Sequence, residues 1–414
     1  MRISSLEIFN IANNSMQKSN ADLVKTQQQL STGQRVIRPS DDPVATIQIL
    51  ELTNELSRLE QYDKNINIAA NSLEQQEGLL NGVNEIITRL MELSAQAGNT
   101  AVYTKSQYSA MATEVESRLD ELVSIANSRN AGGDYVFAGF KTATEPFIGS
   151  TDAGFKYLGD DGQREIKIAN NSKLGVSLSG RDVFVEVPSA EPTVRTYLGE
   201  NNSANSTLQV SVGRVVDPDI YQEFYPKDLI LKFNDPADAS PVPGPNFTIT
   251  ERSTGNVIIA NQNFVQGQDI EVNGVKFSIS GTPSDGDVVH IDSANQQSIM
   301  DTMAAFAKAL RAVDDNSQSK QELAAVVAST LNNLDNAQVN VLQAFSALGA
   351  KQNTLQTTRD LHLDTTLFAK EVLSSLQNLD YAEASTRLSM QTTILEASQA
   401  SFVRISRLSL FNRL

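Results

Sequence analysis

Cysteine and tryptophan are absent from the 414-residue chain, and histidine occurs only twice, at His290 and His362. Without cysteine there is no disulfide, no thiolate metal site and no cysteine nucleophile, although the compartment stays open. Positive charge is scarce as well: 33 Lys and Arg face 49 Asp and Glu, a net charge of −16. That balance argues against nucleic acid as a partner, because nonspecific binding to phosphates is driven by cations. No apolar run is long enough to span a bilayer, so no membrane insertion is expected. The start Met-Arg-Ile-Ser-Ser-Leu-Glu-Ile-Phe-Asn lacks the basic segment and apolar core of a cleavable signal. Any secretion is expected to leave the N-terminus in place. HExxH, GxSxG, P-loop and GxGxxG patterns are missing too, and neither a catalytic residue nor a metal or other cofactor is expected.

Proline is scarce at both ends. Of twelve prolines, ten fall between Pro146 and Pro283, and there is none from Val44 to Glu145 or after Pro283. Since a proline inside a helix costs about 3 kcal/mol, two long helical regions are expected to flank a loop- and strand-rich middle.

What is present begins with a seam. Phe9, Met16, Leu23 and Leu30 recur every seven residues, with Ala12, Ser19 and Thr26 three places after the first three. Large and small residues alternating at a and d positions describe a coiled-coil arm whose partner helix can approach closely. The arm ends at Gln34-Arg-Val-Ile-Arg-Pro39-Ser40-Asp41-Asp42-Pro43. The residue before a proline is pushed out of the helical region and proline suits a first helical position, so Asp42 is the expected N-cap of the next helix. Ser40 and Asp41 are expected to add acceptors and negative charge at that helix start. Adjacent aspartates can also hold a metal, but no histidine lies near them in sequence.

Beyond Pro43, the 3-4 spacing of Ile49, Leu52, Leu56, Leu59, Ile66, Leu73, Leu80 and Ile87 predicts a helix to Ala97, about 80 Å long. Tyr108, Met111, Val115, Leu119 and Leu122 predict a third, antiparallel to it. From Tyr135 the period changes to two. Ile166 and Ile168, Val183, Val185 and Val187, and Leu229, Leu231 and Phe233 read as strands, and the stretch from Pro188 to Ser206 as a linker. Asp160-Asp161-Gly162 reads as a hairpin turn, and His290 as a strand histidine opposite Val289 and Ile291. Asn273-Gly274 predicts a type I′ turn that sets Val272 opposite Val275 and Ile270 opposite Phe277. Helical spacing returns at Ile299, breaks near Asp314, and from Leu323 runs almost to the end. There Leu388, Leu395 and Phe402 stand seven apart, matching the first seam.

Charge agrees with a pairing of the two ends. Residues 1–40 and 387–414 each carry net +3, leaving −22 between them. The expected fold is α+β and multidomain: a long antiparallel helical bundle or coiled coil from both ends, with a β-rich insert in the middle. The expected divisions are terminal helices at 1–43 and 380–414, a helical body at 44–145 and 293–379, and an insert at 146–292, split into units at 146–187 and 207–292.

The helical blocks and the run Leu30-Ser-Thr-Gly-Gln-Arg-Val-Ile-Arg-Pro-Ser-Asp-Asp-Pro-Val-Ala45 resemble the flagellin superfamily. The Arg-Pro-Ser-Asp-Asp-Pro version looks like the hook-filament junction members, since flagellins usually carry an alanine-rich sequence there. Gly159-Asp-Asp-Gly-Gln-Arg-Glu-Ile166, Tyr381-Ala-Glu-Ala-Ser-Thr-Arg-Leu388 and Leu408-Ser-Leu-Phe-Asn-Arg-Leu414 are similar to other blocks of those members. The resemblance implies a non-enzymatic, extracellular adaptor whose paired terminal helices lie inside a tube and whose insert lies outside. It implies a ring of copies between the hook-side junction protein (hook-associated protein 1) and flagellin, export through the flagellar type III apparatus, and a cytoplasmic chaperone on the C-terminal helix. The alternatives are flagellin itself and a flagellin-like protein with a glycan-binding insert.

Overall fold

The computed structural model describes residues 5–99, 103–199, 201–204, 206–238, 244–314 and 316–411. They fall into two compact units, Met1–Asn65 with Gln356–Leu414, and Ile66–Leu355. Breaks between helices fall at residues 33–42 and 378–380. The division between the units falls inside two continuous helices instead.

Helices α1 (Ser5–Thr32), α2 (Pro43–Ala97), α3 (Lys105–Ala126), α4 (Pro218–Phe224), α5 (Ile299–Ala312), α6 (Ser317–Gln377) and α7 (Tyr381–Phe411) carry the frame. In the larger unit, the second half of α2 and α3 are antiparallel. Tyr108 Oη donates to Ala97 O at 3.4 Å, and Arg89 Nε pairs with Glu114 at 2.7 Å. The 3-4 stripes expected from sequence meet here: Leu73, Leu80 and Ile87 of α2, Val115, Leu119 and Leu122 of α3, Met303 and Phe306 of α5, and Leu323, Leu334 and Val341 of α6 are buried in one core. Ser298 caps α5 by accepting from Asp301 N at 2.9 Å.

Strands β1 (Phe147–Ser150) and β2 (Gly154–Tyr157) form one hairpin, β3 (Glu165–Ala169) and β4 (Ser172–Gly175) a second, and both lean on the helical core. Asp160-Asp161-Gly162 is a turn, but it joins β2 to β3 and so closes neither hairpin. Its Asp160 Oδ1 accepts from Phe140 N at 2.8 Å and Gly162 N at 2.9 Å. Val183, Val185 and Val187 do not form the expected strand. Arg181–Val185 is a π-helical turn, in which Glu186 N donates to Arg181 O at 2.9 Å. Consecutive Val183 and Phe184 both turn inward, and Phe184 meets Phe137 and Phe147 edge-on at 5.1 and 5.5 Å. A strand would send one of the two to solvent, so burial of the pair overrides the alternation.

The expected linker from Pro188 is likewise a strand. Strand β5 (Pro188–Leu198) pairs antiparallel with β13 (Val288–Gln296) from Leu198↔Val289 to Pro188↔Gln296. Prolines 188 and 192 are tolerated because β5 is an edge, where a missing N–H leaves no central ladder bond unmade. β8 (Leu229–Asn234), β9 (Asn246–Glu251) and β10 (Val257–Asn263) complete a five-stranded sheet in the order β10-β9-β8-β13-β5. A smaller sheet holds β6 (Gln209–Val210), β7 (Arg214–Val215), β11 (Asp269–Val272) and β12 (Val275–Ser280). Its hairpin has the expected register, Val272↔Val275 and Ile270↔Phe277. Asn273 and Gly274 have φ of +47° and +77°, as a type I′ turn requires. Leu231, Phe233, Ile249 and Val289 of the large sheet and Val272, Phe277 and Ile279 of the small one share a second core.

Candidate assembly surface

The smaller unit contains α1, the first part of α2, the last part of α6, and α7. The loop after α1 and the loop before α7 are hydrogen-bonded to each other. Arg35 N donates to Gln377 O at 2.8 Å and Leu379 N to Gly33 O at 2.9 Å, with Gln34 and Asn378 bridged antiparallel between them. Gln29, buried, reaches Arg35 O at 2.5 Å, and Arg35 Nε donates to Leu376 O at 3.1 Å. Glycine is needed at position 33: φ is +71°, and a Cβ there would stand 2.9 Å from Tyr381 Oη.

The capping turn is built beside this clasp. Asp42 Oδ1 accepts from Ala45 N at 3.0 Å and Asp42 O from Thr46 N at 3.0 Å, with Pro43 opening α2. Asp41 serves a different purpose from the one expected. Its carboxylate accepts from Arg38 N at 3.0 Å and pairs with Lys25 of α1 at 2.8 Å, so it ties the loop to α1 rather than feeding the start of α2. The Lys25 hydrogen bond, helped by the Arg38 N–H, holds the Asp41 carboxyl below its ordinary range. Ser40 is exposed in the turn. The helical run from Leu323 is also broken, at Asn378–Asp380. Asp380 Oδ1 accepts from Ala382 N at 2.9 Å and Glu383 N at 3.2 Å, which starts α7. The signal was present as Asp380 with Glu383 three residues on.

Because the clasp joins the end of α1 to the start of α7, the two helices pack antiparallel. Met16, Leu23 and Leu30 of α1 and Leu388, Leu395 and Phe402 of α7 are all half-buried. The side chain of Phe9 and residues 412–414 lie outside the described residues. Nearer the clasp, Thr26, Gln29 and Ala384 are fully buried. In the same unit His362 stacks on Tyr62 with centroids 5.7 Å apart, and Arg359 pairs with Asp63 at 3.6 Å. Burial pushes the His362 imidazole down, and its Nδ1 has no hydrogen-bond partner.

Sequence periodicity did not reveal how much apolar surface this unit leaves uncovered. Among its described residues only Ala45, Leu59, Ala369 and Ala384 are buried hydrophobics, whereas thirteen large ones are exposed. They include Val44, Ile47 and Leu50 at the start of α2, Leu361, Leu367 and Phe368 of α6, and Met390 of α7. Apolar area on that scale marks a surface made for protein contact. Among the described residues there is no cluster of three or more His, Asp or Glu able to hold a metal, and no helix long and apolar enough to cross a membrane.

Paired chain ends with a β-rich middle are the plan of flagellar axial proteins, and the comparisons agree. Residues 3–142 match the bacterial flagellin N-terminal helical region. Over that first third the chain is similar to flagellins, and over its whole length it is similar to hook-associated protein 3. Hook-associated protein 3 of Salmonella typhimurium is 24% identical over 411 residues, 99% of each chain. Among solved structures, the flagellar junction protein FlgL from Legionella pneumophila is 25% identical with a TM-score of 0.51, over 80% of this chain and 99% of that one. A second structure, hook-associated protein 3 from the same organism, has a TM-score of 0.53 at 24% identity, over 79% and 98%.

Proposed function

We propose that this chain is a structural junction protein of the bacterial flagellum, an adaptor that joins the hook side to the flagellin filament by assembly rather than catalysis. The carrying observation is the smaller unit, which exposes thirteen large apolar side chains around four buried hydrophobics and so has its contacts still to make. Flagellin is the disfavoured alternative, since the match to hook-associated protein 3 runs end to end.

In this reading copies of the chain form a ring, with hook-associated protein 1 on one side and flagellin on the other. The terminal segments 1–43 and 380–414 are the part that orders fully only on assembly, and the seam of Phe9, Met16, Leu23, Leu30, Leu388, Leu395 and Phe402 is the surface they share. The turn Ser40-Asp41-Asp42-Pro43 positions that part. The net +3 at each end under a −22 remainder favours packing among further chains. Export is through the flagellar type III apparatus, with a cytoplasmic chaperone covering the apolar stripe of the C-terminal helix until then. The test is to locate tagged protein along intact flagella. A band confined to the boundary of hook and filament is expected, and label spread along the filament would make the chain a filament subunit.

A further inference from the structure

The two cores of the larger unit do not close on each other completely. Between them lies a cleft of about 550 Å³, with Phe155 and Met300 on the side of the helical core and Leu208 and Val210 on the side of the sheet core. Arg195 of β5, Lys156 of β2 and Asp301 of α5 also line it. We propose that this cleft binds a small amphiphile, an apolar tail of about eight carbons with an anionic head met by Arg195.

The volume is that of an ordinary small-molecule site, and the lining is mainly apolar with a few convergent polar groups. Arg195 supplies the charge preference. Its Nη2 is buried without a hydrogen-bond partner: Asp292, opposite it in the β5–β13 ladder, forms its ion pair with Arg252 instead, at 3.1 Å, and accepts from Tyr197 at 2.6 Å through Oδ2, while its own Oδ1 makes no hydrogen bond. A buried guanidinium N–H lacking an acceptor is costly, and an anionic oxygen is the group that satisfies it best. Asp301 leaves room for that anion. Burial pushes its carboxyl up to about 6, against the opposing pull of Ser298, the Phe155 N–H and Arg195. Below that pH it is neutral and does not repel a second negative group.

The full-length chain, titrated calorimetrically with 1-octanesulfonate, tests this. One saturable site is expected, tighter than for 1-octanol and much tighter than for octyltrimethylammonium, and strengthening as the pH falls through about 6. Ala153→Phe, which fills the cleft from its rim, is expected to weaken the sulfonate by about tenfold or more. Arg195→Gln is expected to erase the preference for the sulfonate over the alcohol. Val210→Met, a smaller filling of the same space, replaces Ala153→Phe should that variant fail to melt like the parent. Absence of saturable binding at millimolar sulfonate overturns the proposal. So does binding that survives both the filling variant and Arg195→Gln, which would place it on the exposed apolar faces of the terminal helices, and so does equal affinity for the cation.

Discussion

The two units are built from the same helical heptads and differ in what they do with them. In the larger unit the stripes of α2, α3, α5 and α6 meet in a core where Leu73, Leu80, Ile87 and Leu323 are buried. In the smaller unit the stripes of α1 and α7 meet each other, and Met16, Leu23, Leu30, Leu388, Leu395 and Phe402 each keep part of their surface open. The periodicity is alike; the number of partners each helix finds within its own chain is not. A two-helix seam covers one side of each apolar residue, and that leaves these helices less packing to draw stability from.

The sharpest way to break this comparison is to place a carboxylate in each stripe. Leu323→Asp puts an unpaired charge in the larger core and is expected to cost the monomer about 3 kcal/mol or more in thermal or denaturant unfolding. Leu395→Asp, at a half-buried position, is expected to leave that unfolding nearly unchanged while cells export flagellin into the medium and build hooks without filaments. Equal losses would mean that Leu395 already belongs to a monomer core. Next in size is the capping turn. Asp42→Ala removes the acceptor for Ala45 N, and about 0.5 to 2 kcal/mol should be lost, seen as faster hydrogen exchange at the start of α2 with α3 and α5 unaffected. Gly33→Ala forces a strained φ and crowds Tyr381, so roughly 1 kcal/mol is expected there, with loss of protection at the amides of Arg35 and Leu379.

The smallest effect is one of sign. His362 is depressed by burial, so the unfolded chain takes up its proton first, and the stability it contributes is present above about pH 6.5 and lost as the pH falls below that. Asp301 is raised from 3.8 to about 6, so its contribution is present below about pH 4 and lost as the pH rises through 6. As the pH falls from 6 to 4 the smaller unit should lose amide protection while the larger gains it. His362→Gln should flatten the first trend and Asp301→Asn the second; parallel trends in both units would refute the assignment.

The helices were legible because burial on one face leaves a 3-4 stripe, and the Asn273-Gly274 hairpin because only a few residues adopt two successive positive φ values. Strand β5 was not, since Pro188 and Pro192 read as linker until its edge position is known. The π-helical turn at Arg181–Val185 imitates a strand by its valines, and only the ring packing of Phe184 fixes it. Of the candidate site, the Asp42 cap could be read directly from the Asp-Pro pair. The Lys25–Asp41 pair and the clasp join residues whose proximity no local pattern encodes, and the division between units leaves no mark because Asn65 and Gln356 lie inside unbroken helices.

The clasp also sets an order of events. Gly33 and Arg35 precede the groups they bond, Leu379 N and Gln377 O, by more than three hundred residues of chain. Helix α1 therefore waits for its partner until the intervening chain has been made, and closing so long a loop is slow. During that wait the larger unit can complete its core, because everything it needs lies between residues 66 and 355. A segment made before the larger unit is thus fixed after it.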